Sequence, residues 1–433
     1  MIDSLHILIA DYVPIANKGE EAIVRGIEDM LADGRPVALG LFDAVVEPAQ
    51  RDNITVFPRD WLFRFEGRSS LPAVARVLLQ AAIALQLRAG IYSRLQNLTN
   101  AKEKKCRPLR DFFEQAEYVL VGHDGVFCVE SCGIIGLAKR HGKRTGILGA
   151  STGIGAGRFY KTGLYRRALD ESDFCVFRER ISCASMKQVS SEPDKLVVGP
   201  DPAFAMRPVD ADEARAVLER NESVRRARSD TRPIVAVTAL ETGRVFDGFR
   251  PDLTGEAKRL AHAKYLATVL DALVEKHHVF VLFLPHSVEK NASDIAAAEH
   301  VAEQMRAQPD SLAILEEDCG ARLLKGIIGQ CDFLVGQRTH SLIASVSMGT
   351  PLAVLTNRRD TRTHGIIGEM CRCDNQIVDM DVWDERAAAR KVLDLFESRH
   401  CVRPMLNRVQ EDLAGQLSRI ARLVKGTPTH PAP

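Results

Sequence analysis

The stretch Asp332-Phe333-Leu334-Val335-Gly336-Gln337-Arg338-Thr339-His340 decides the fold of this chain. Its apolar run is typical of a buried strand in a parallel sheet. A helix is predicted from Ser341 to Met348, and Gly349-Thr350-Pro351 then leads into a second apolar strand, Leu352 to Leu355. Two strands joined through a helix by short loops predict a parallel sheet covered by helices.

The same alternation extends from this unit in both directions along the chain. In the second half, strands are also predicted at Ile234 to Thr238, His278 to Leu284 and Leu312 to Leu315. In the first half, a helix from about Glu20 to Leu31 follows the first of six predicted strands. These are His6 to Ala10, Val37 to Phe42, Tyr118 to Val121, Arg144 to Leu148, Phe174 to Phe177 and Lys195 to Val198.

The length of 433 residues exceeds what one compact core usually accommodates. The charged segment 206–231 separates the two series of strands, so we predict two Rossmann-like α/β domains, 1–205 and 206–433, facing a central cleft. The helical segment from Glu385 to Lys425 is expected to pack back across that cleft.

Composition limits the class of protein. The 58 basic and 57 acidic side chains nearly cancel, which disfavours a general nucleic-acid binder. The ten cysteines lack the spacing of a metal site, and reduced thiols in a cytoplasmic protein are the simplest interpretation. Leu5 to Ala10 is too short for a signal peptide and is better explained as the first strand.

One segment departs from the alternation. An inserted helix is predicted over residues 71–97, mostly apolar from Leu71 to Leu95 but interrupted by arginine and glutamine, which excludes a clean membrane span. A basic cluster follows it: Lys102, Lys104, Lys105, Arg107 and Arg110. We favour a helix packed on its domain with a solvated charged loop, and peripheral contact with the inner face of a membrane is the alternative.

Ligands of doubly wound sheets bind at the carboxyl ends of the strands, so the candidate site residues are those that follow strands. There, glycines allow close approach and helix N-termini offer N–H groups to anions. The candidates are Asn17, Glu20, His123, Asp124, Ser151, Thr152, Arg178, Asp201, His286, Ser287, Arg338, Thr339 and His340.

Arg338 and His340 are the most specific pair among these candidates. Arginine offers a fixed fork to phosphate or carboxylate, the helix N-terminus adds its positive end, and histidine moves protons near neutral pH. A structural ion pair and a capping histidine explain the same residues equally well. Arg178 and Asp201 also have structural explanations. For Arg178 it is a salt bridge to an acidic residue of a loop, and for Asp201 it is capping of the backbone in a rigid turn.

With these residues assembled, the chain resembles the polysaccharide pyruvyl transferase family. The matching fragments, in order, are Asn17-x-Gly19-x-Glu21-Ala22-Ile23; the turn Gly122 to Gly125; Arg178-Glu179-x-x-Ser182; Asp201-Pro202-Ala203-Phe204; and Asp332-x-x-x-Gly336-x-Arg338-x-His340 with Gly349 and Pro351. Each fragment is weak alone, but their order and spacing together are fairly specific.

The resemblance implies a GT-B-like fold and transfer of a pyruvyl group from phosphoenolpyruvate to a sugar, usually as a cyclic ketal. It implies an acceptor side in the N-terminal domain and a donor side in the C-terminal one. Arg178 and Arg338, with Thr339, His286 and Ser287, would bind the donor, and His340 would be the general acid or base. Phosphoenolpyruvate is then a co-substrate, with no metal or other cofactor, and the acceptor is a sugar or a lipid-linked glycan.

Two loops depart from the family pattern and keep other functions open. The first glycine turn reads Gly122-His123-Asp124-Gly125, and the segment 357–366 carries arginines and His364 where a lysine is expected. A GT-B glycosyltransferase using a nucleotide sugar is one alternative, with Glu316, Glu317 and Asp318 as candidate acidic residues. A non-catalytic protein that binds a glycan or a partner is the other, and a homo-oligomer is compatible with all three.

Overall fold

The computed structural model describes residues 4–45, 47–61, 106–123, 129–152, 159–240, 252–288, 293–306 and 309–427. The predicted helix over 71–97, Lys102, Lys104, Lys105 and Asp124 lie outside these residues. Arg107 and Arg110 lie in a helix, Arg107–Gln115, and not in the predicted charged loop. This helix buries Leu109, Phe112 and Phe113, leaves Arg107 exposed and keeps Arg110 half-buried.

The chain divides into two compact units. Unit 1 comprises Met1–Ile15, Ile27–Pro202 and Leu417–Pro433, and unit 2 comprises Ala16–Gly26 and Ala203–Gln416. The main boundary, between 202 and 203, lies three residues before the predicted one. The sequence did not indicate the two short segments that join the other unit, because each includes part of a helix that continues without a break.

Unit 1 is built on an eight-stranded sheet. Its strands are β1 (Leu5–Tyr12), β2 (Val37–Asp43), β3 (Ala49–Arg51), β4 (Ile54–Pro58), β5 (Tyr118–Val121), β6 (Arg144–Ala150), β7 (Phe174–Phe177) and β8 (Leu196–Val198). Their spatial order is β3-β4-β2-β1-β5-β6-β7-β8. Every pair is parallel except β3 with β4, an antiparallel edge pair that the sequence analysis missed.

The helices of unit 1 cover this sheet. They are α1 (Lys18–Leu31), whose first half belongs to unit 2, α2 (Arg107–Gln115), α3 (Val129–Arg140), α4 (Phe159–Glu171) and α5 (Arg180–Lys187). The core is apolar and includes Phe42, Phe57, Phe113 and Phe177, all nearly inaccessible to solvent. Strands buried on both faces explain why the sequence shows continuous apolar runs here.

Unit 2 contains a six-stranded, fully parallel sheet in the order β11-β10-β9-β12-β13-β14. The strands are β9 (Ile234–Thr238), β10 (Phe280–Phe283), β11 (Leu312–Ile314), β12 (Phe333–Gly336), β13 (Leu352–Thr356) and β14 (Ile377–Asp379). This is the classic doubly wound order, in which the direction of winding reverses between β9 and β12. The stretch that opened the sequence analysis therefore supplies the strand beside the switch point.

The helices of unit 2 are α6 (Ala211–Arg220), α7 (Glu222–Ser229), α8 (Gly255–His277), α9 (Asp294–Gln304), α10 (Ala321–Gly329), α11 (Thr339–Met348), α12 (Glu385–Glu397) and α13 (Arg399–Lys425). Beyond β13, a short turn, Thr361–Thr363, continues into a π-helix, His364–Met370. From Leu417 onward α13 belongs to unit 1. There Arg144 donates to the carbonyl of Leu423 over 2.8 Å, and so provides a hydrogen-bond partner for a carbonyl group in the last turn of the helix.

The described part of the chain has no helix that is both long enough and apolar enough to cross a membrane. The predicted helix over 71–97 is not part of that statement.

Candidate active site

In unit 1, three candidate residues meet at the ends of neighbouring strands. Arg178 follows β7 directly and is fully buried. Its Nε donates to Ser151 Oγ over 2.8 Å, and its Nη1 forms an ion pair with Asp201 Oδ2 over 2.8 Å. Because β6, β7 and β8 are adjacent, the residues that follow them form one buried network. This ion pair is the structural role considered for Arg178, and its role in donor binding stays a prediction.

Thr152 and His123 are also held by neighbouring strand ends. The backbone N–H of Thr152 donates to Ser182 Oγ over 2.7 Å, and Ser182 belongs to the turn that Glu179 caps at the start of α5. The backbone N–H of His123 donates to Asp11 Oδ2 over 2.9 Å. Asp11 lies in β1 and His123 follows β5, so this contact marks the switch point of the first sheet.

In unit 2, Arg338 and His340 lie at the carboxyl end of β12 and the N-terminus of α11. Arg338 is the N-cap residue of this helix, and Thr339 Oγ1 lies 3.0 Å from Thr363 Oγ1. His286 and Ser287 follow β10, on the other side of the central strand β9. The predicted donor residues of the second half are therefore brought to one edge of one sheet.

Asp294, which the sequence analysis missed, joins these two strand ends. Its buried carboxylate accepts from the backbone N–H groups of His286 and Ser287, each over 2.9 Å. It also accepts from Arg338 Nε over 3.0 Å and from Arg338 Nη2. Asp294 opens α9 shortly after Ser287, but nothing in the sequence links it to an arginine 44 residues away.

The residues before α1 complete this edge of unit 2. Ala16, Asn17 and Lys18 run antiparallel to His286–Val288, with Lys18 N donating to His286 O over 2.8 Å and Val288 N to Ala16 O over 3.2 Å. Asn17 Oδ1 accepts from Gly19 N over 3.0 Å. The first turn of α1 is thereby fixed beside the ends of β10 and β12.

Gly19 packs directly on the ring of His340. A Cβ atom on Gly19 would lie 2.9 Å from His340 Cγ and closer still to Nδ1. The Gly19 fragment of the family pattern therefore has a physical explanation, since any side chain at this position would displace the histidine. Asn17 was predicted as an acceptor or loop residue, and its observed contact is with the backbone that supports this glycine.

Positive charge is concentrated around His286. The pKa of His286 is lowered to about 3, chiefly by burial, with smaller contributions from Arg338, His340 and Lys18 and an opposing effect of a hydrogen bond to the carbonyl of Leu284. Lys18 is itself buried and forms an ion pair with Asp318 over 2.6 Å. His286 is thus neutral near pH 7, and it lies close to the cationic side chains of Arg338 and Lys18.

A second buried histidine supports the strand that carries Arg338. Gln337 Nε2 lies 2.9 Å from His262 Nε2, and Gln337 Oε1 accepts from Leu240 N over 3.0 Å. Burial lowers the pKa of His262 to about 4, so this histidine is neutral. Thr238 Oγ1 lies 2.8 Å from Ser341 Oγ, and Ser341 donates to the carbonyl of Arg338 over 2.7 Å.

Two of the three acidic residues considered for a nucleotide sugar have other partners. Asp318 pairs with Lys18, and Glu317 lies 3.5 Å from Arg220. The arginine-rich segment after β13 is an ordered turn in which Asp360 accepts from Thr363 N over 3.2 Å. In the described ranges, no three His, Cys, Asp or Glu side chains gather so as to hold a metal ion.

Two units with parallel, doubly wound sheets define the GT-B class of α/β proteins. Solved structures share this fold over nearly the whole chain. Trehalose 6-phosphate synthase of Burkholderia multivorans has 12% identity, covers 98% of this chain and 99% of its own, and gives a TM-score of 0.55. A putative UDP-N-acetylglucosamine 2-epimerase of Listeria monocytogenes has 11% identity, covers 98% and 97%, and gives a TM-score of 0.51.

The family model of polysaccharide pyruvyl transferase matches residues 17–359, which is most of the chain. The protein belongs to this family. The match begins at Asn17 and includes Arg178, Arg338 and His340. By sequence, the chain has no significant match among curated proteins.

Proposed function

We propose that this protein transfers the pyruvyl group of phosphoenolpyruvate to a sugar of a polysaccharide or its precursor, forming a pyruvate ketal. Family membership supports the reaction class. The observation that carries the proposal is the convergence of Arg338, His340, His286 and Lys18 at the carboxyl ends of β10 and β12. Cations and helix N–H groups at this edge suit a donor that bears a phosphate and a carboxylate.

In the proposed reaction, His340 protonates the methylene carbon of phosphoenolpyruvate. The adjacent carbon then gains oxocarbenium character, and one sugar hydroxyl attacks it and loses its proton. Departure of inorganic phosphate allows a second hydroxyl to add, so that a diol and phosphoenolpyruvate yield a ketal and phosphate. Arg338 binds the anionic donor and stabilises the leaving phosphate. Neither a metal nor an organic cofactor takes part in this proposal.

The test is release of phosphate from phosphoenolpyruvate by the purified protein with a panel of sugar and lipid-linked acceptors. Release should depend on the acceptor, and the product should gain the mass of a pyruvyl ketal. Arg338→Ala and His340→Ala should each lower turnover at least about 100-fold, as expected for a lost charge clamp and a lost proton donor. Unchanged turnover in both variants, with unfolding midpoints like the wild type, would refute the assigned site.

A GT-B glycosyltransferase using a nucleotide sugar is the second candidate function. Its support is the fold shared with the structures above. At sequence identities near 12%, that similarity is evidence for a common fold but not for a common activity. Thermal unfolding with phosphoenolpyruvate or with UDP-sugars distinguishes the two, because a ligand that binds only the folded state raises the midpoint. A shift with UDP-sugars alone would favour the second function. No shift with any donor would favour a non-catalytic glycan- or partner-binding role.

We also place the protein in the cytoplasm. The support is the state of the nine described cysteines, which are all free thiols and are buried except for Cys401. Such thiols are typical of reducing compartments. Contact with the inner face of a membrane and assembly as a homo-oligomer remain part of the proposal. Fractionation at low and high salt tests the membrane contact, and light scattering tests assembly.

A further inference from the structure

Asp294 is the point at which the two strand ends of the unit 2 site are joined. Its side chain is almost inaccessible to solvent, at 1% exposure, and both of its oxygens are engaged. Oδ2 accepts from His286 N, Ser287 N and Arg338 Nε, and Oδ1 accepts from Arg338 Nη2. A carboxylate is tolerated in a buried position only when it has such partners, and these four donors provide them.

The geometry of this pair determines which part of Arg338 can meet a ligand. Asp294 binds the edge formed by Nε and Nη2, while Arg338 retains 21% exposure. Among the described residues, none forms a hydrogen bond or ion pair with Nη1. The guanidinium is planar and rigid, so fixing one edge also fixes the direction of the other.

We propose that Asp294 is a positioning residue that orients Arg338 toward the anionic donor and partly neutralises its charge. The orientation favours the transition state, because a guanidinium held in place needs no rearrangement when charge develops on the leaving phosphate. The neutralisation weakens ground-state binding of anions and so assists phosphate release. This inference rests on the proposed function, since it assigns Arg338 to the donor.

The variant Asp294→Asn removes both the orientation and the neutralisation of Arg338, with little change in side-chain shape. The amide oxygen can take the place of Oδ2 and continue to accept from His286 N and Ser287 N. The amide NH₂ then replaces Oδ1 and faces Arg338 Nη2, so that two donors oppose each other. The loop after β10 keeps its backbone bonds, while Arg338 loses its orientation and its countercharge.

Asp271→Asn is the matched control. Asp271 is also a buried carboxylate of unit 2, and it accepts from the backbone N–H of Arg306 over 3.0 Å and from Arg306 Nε over 3.2 Å. It lies in α8, and Arg306, with which it forms an ion pair, is outside the site. A general effect of neutralising a buried aspartate should therefore appear in both variants, whereas an effect on Arg338 should appear in one.

The experiment compares wild type, Asp294→Asn and Asp271→Asn in two measurements. Calorimetry gives the dissociation constant of inorganic phosphate, and phosphate release gives kcat and KM for phosphoenolpyruvate. For Asp294→Asn we expect phosphate to bind about threefold tighter or more, because one countercharge is lost, while kcat falls about 10- to 100-fold. For Asp271→Asn we expect both quantities within about twofold of wild type.

The inference is overturned if Asp294→Asn binds phosphate as wild type does or more weakly, or if its kcat is unchanged. An equal loss in Asp271→Asn overturns it as well, because the effect would then be one of general stability. Failure of the proposed function has a different signature, in which the wild type itself shows no turnover with any acceptor. In that case the role of Asp294 is decided by calorimetry alone, from the dissociation constants of inorganic phosphate for the wild type and the two variants.

Discussion

At the scale of single residues, the site depends on one close approach. Gly19 lies against the His340 ring, and the two residues are more than 300 positions apart in sequence. Gly19 needs no unusual backbone torsion here, so space alone explains its identity. The ring of His340, the proposed catalytic histidine, can therefore occupy its position only because Gly19 of α1 has no side chain.

We expect Gly19→Ala to lower turnover at least about tenfold, because the new methyl group must displace the His340 ring from its productive position. Steady-state kinetics measures this, and a circular dichroism spectrum like the wild type shows that the fold is retained. Gly415→Ala is the control, since a Cβ atom there meets nothing within 4 Å. It should leave kinetics unchanged and stabilise helix α13 by about 0.5–1 kcal/mol. Wild-type turnover in Gly19→Ala would contradict this account of the glycine.

The residue scale also shows how much of the site could be predicted from sequence. Arg338 and His340 were identifiable because a buried strand and a helix start bracket them, and these are local signals. Asp294 and Lys18 were not, because their partners are distant in sequence. Burial of Arg178 against Asp201 could not be predicted either, since a strand-end arginine is compatible with a ligand or with an ion pair.

At the scale of elements, strands β6, β7 and β8 are tied at their ends by the network of Ser151, Arg178 and Asp201. Their order in the chain and their adjacency in the sheet place these three residues together. The sequence predicted each strand because apolar runs are a local signal. It missed β3 and β14, which have three residues each, lie at the edges of their sheets and so carry weak patterns, and it also missed β4, an internal strand of five residues.

We expect Asp201→Asn to destabilise the protein by about 3–5 kcal/mol, because it removes the negative charge of a carboxylate that is paired with a buried guanidinium. Chemical denaturation of this variant, of Arg178→Met and of the double variant gives the coupling energy. The double variant should be more stable than Asp201→Asn alone, since the unpaired charge is gone. A coupling energy near zero would show that Arg178 is not a structural ion-pair residue, and would favour its predicted role in donor binding.

At the scale of the whole molecule, two doubly wound units explain why the fold class was predictable. Alternating apolar strands and helices predict such sheets, and the observed strand order of unit 2 follows the usual pattern. The exchange of segments between units was not predictable. Helices α1 and α13 each continue without interruption from one unit to the other, so no break in the sequence marks the change.

Two positions of helix α13 that are about two turns apart should therefore stabilise different units. Ile420 belongs to unit 1 and is buried, with its side chain packed beside Gly199. Leu413 belongs to unit 2 and is also buried. Each change to alanine should cost about 2–4 kcal/mol. Hydrogen exchange followed by mass spectrometry should show faster exchange in β7 and β8 for Ile420→Ala, and in unit 2 for Leu413→Ala. Identical exchange maps for the two variants would contradict this division.

The exchanged segments also affect when the protein can fold during synthesis. Residues 16–26 are made early but are placed by groups such as His286 and Ala321, which are made much later. Unit 1, in turn, includes residues from Leu417 onward. At about 5–20 residues per second, the ribosome needs roughly 20–90 s for the whole chain. Neither unit can therefore be completed from one continuous stretch of chain, since residues 16–26 depend on later residues of unit 2 and unit 1 depends on residues from Leu417 onward.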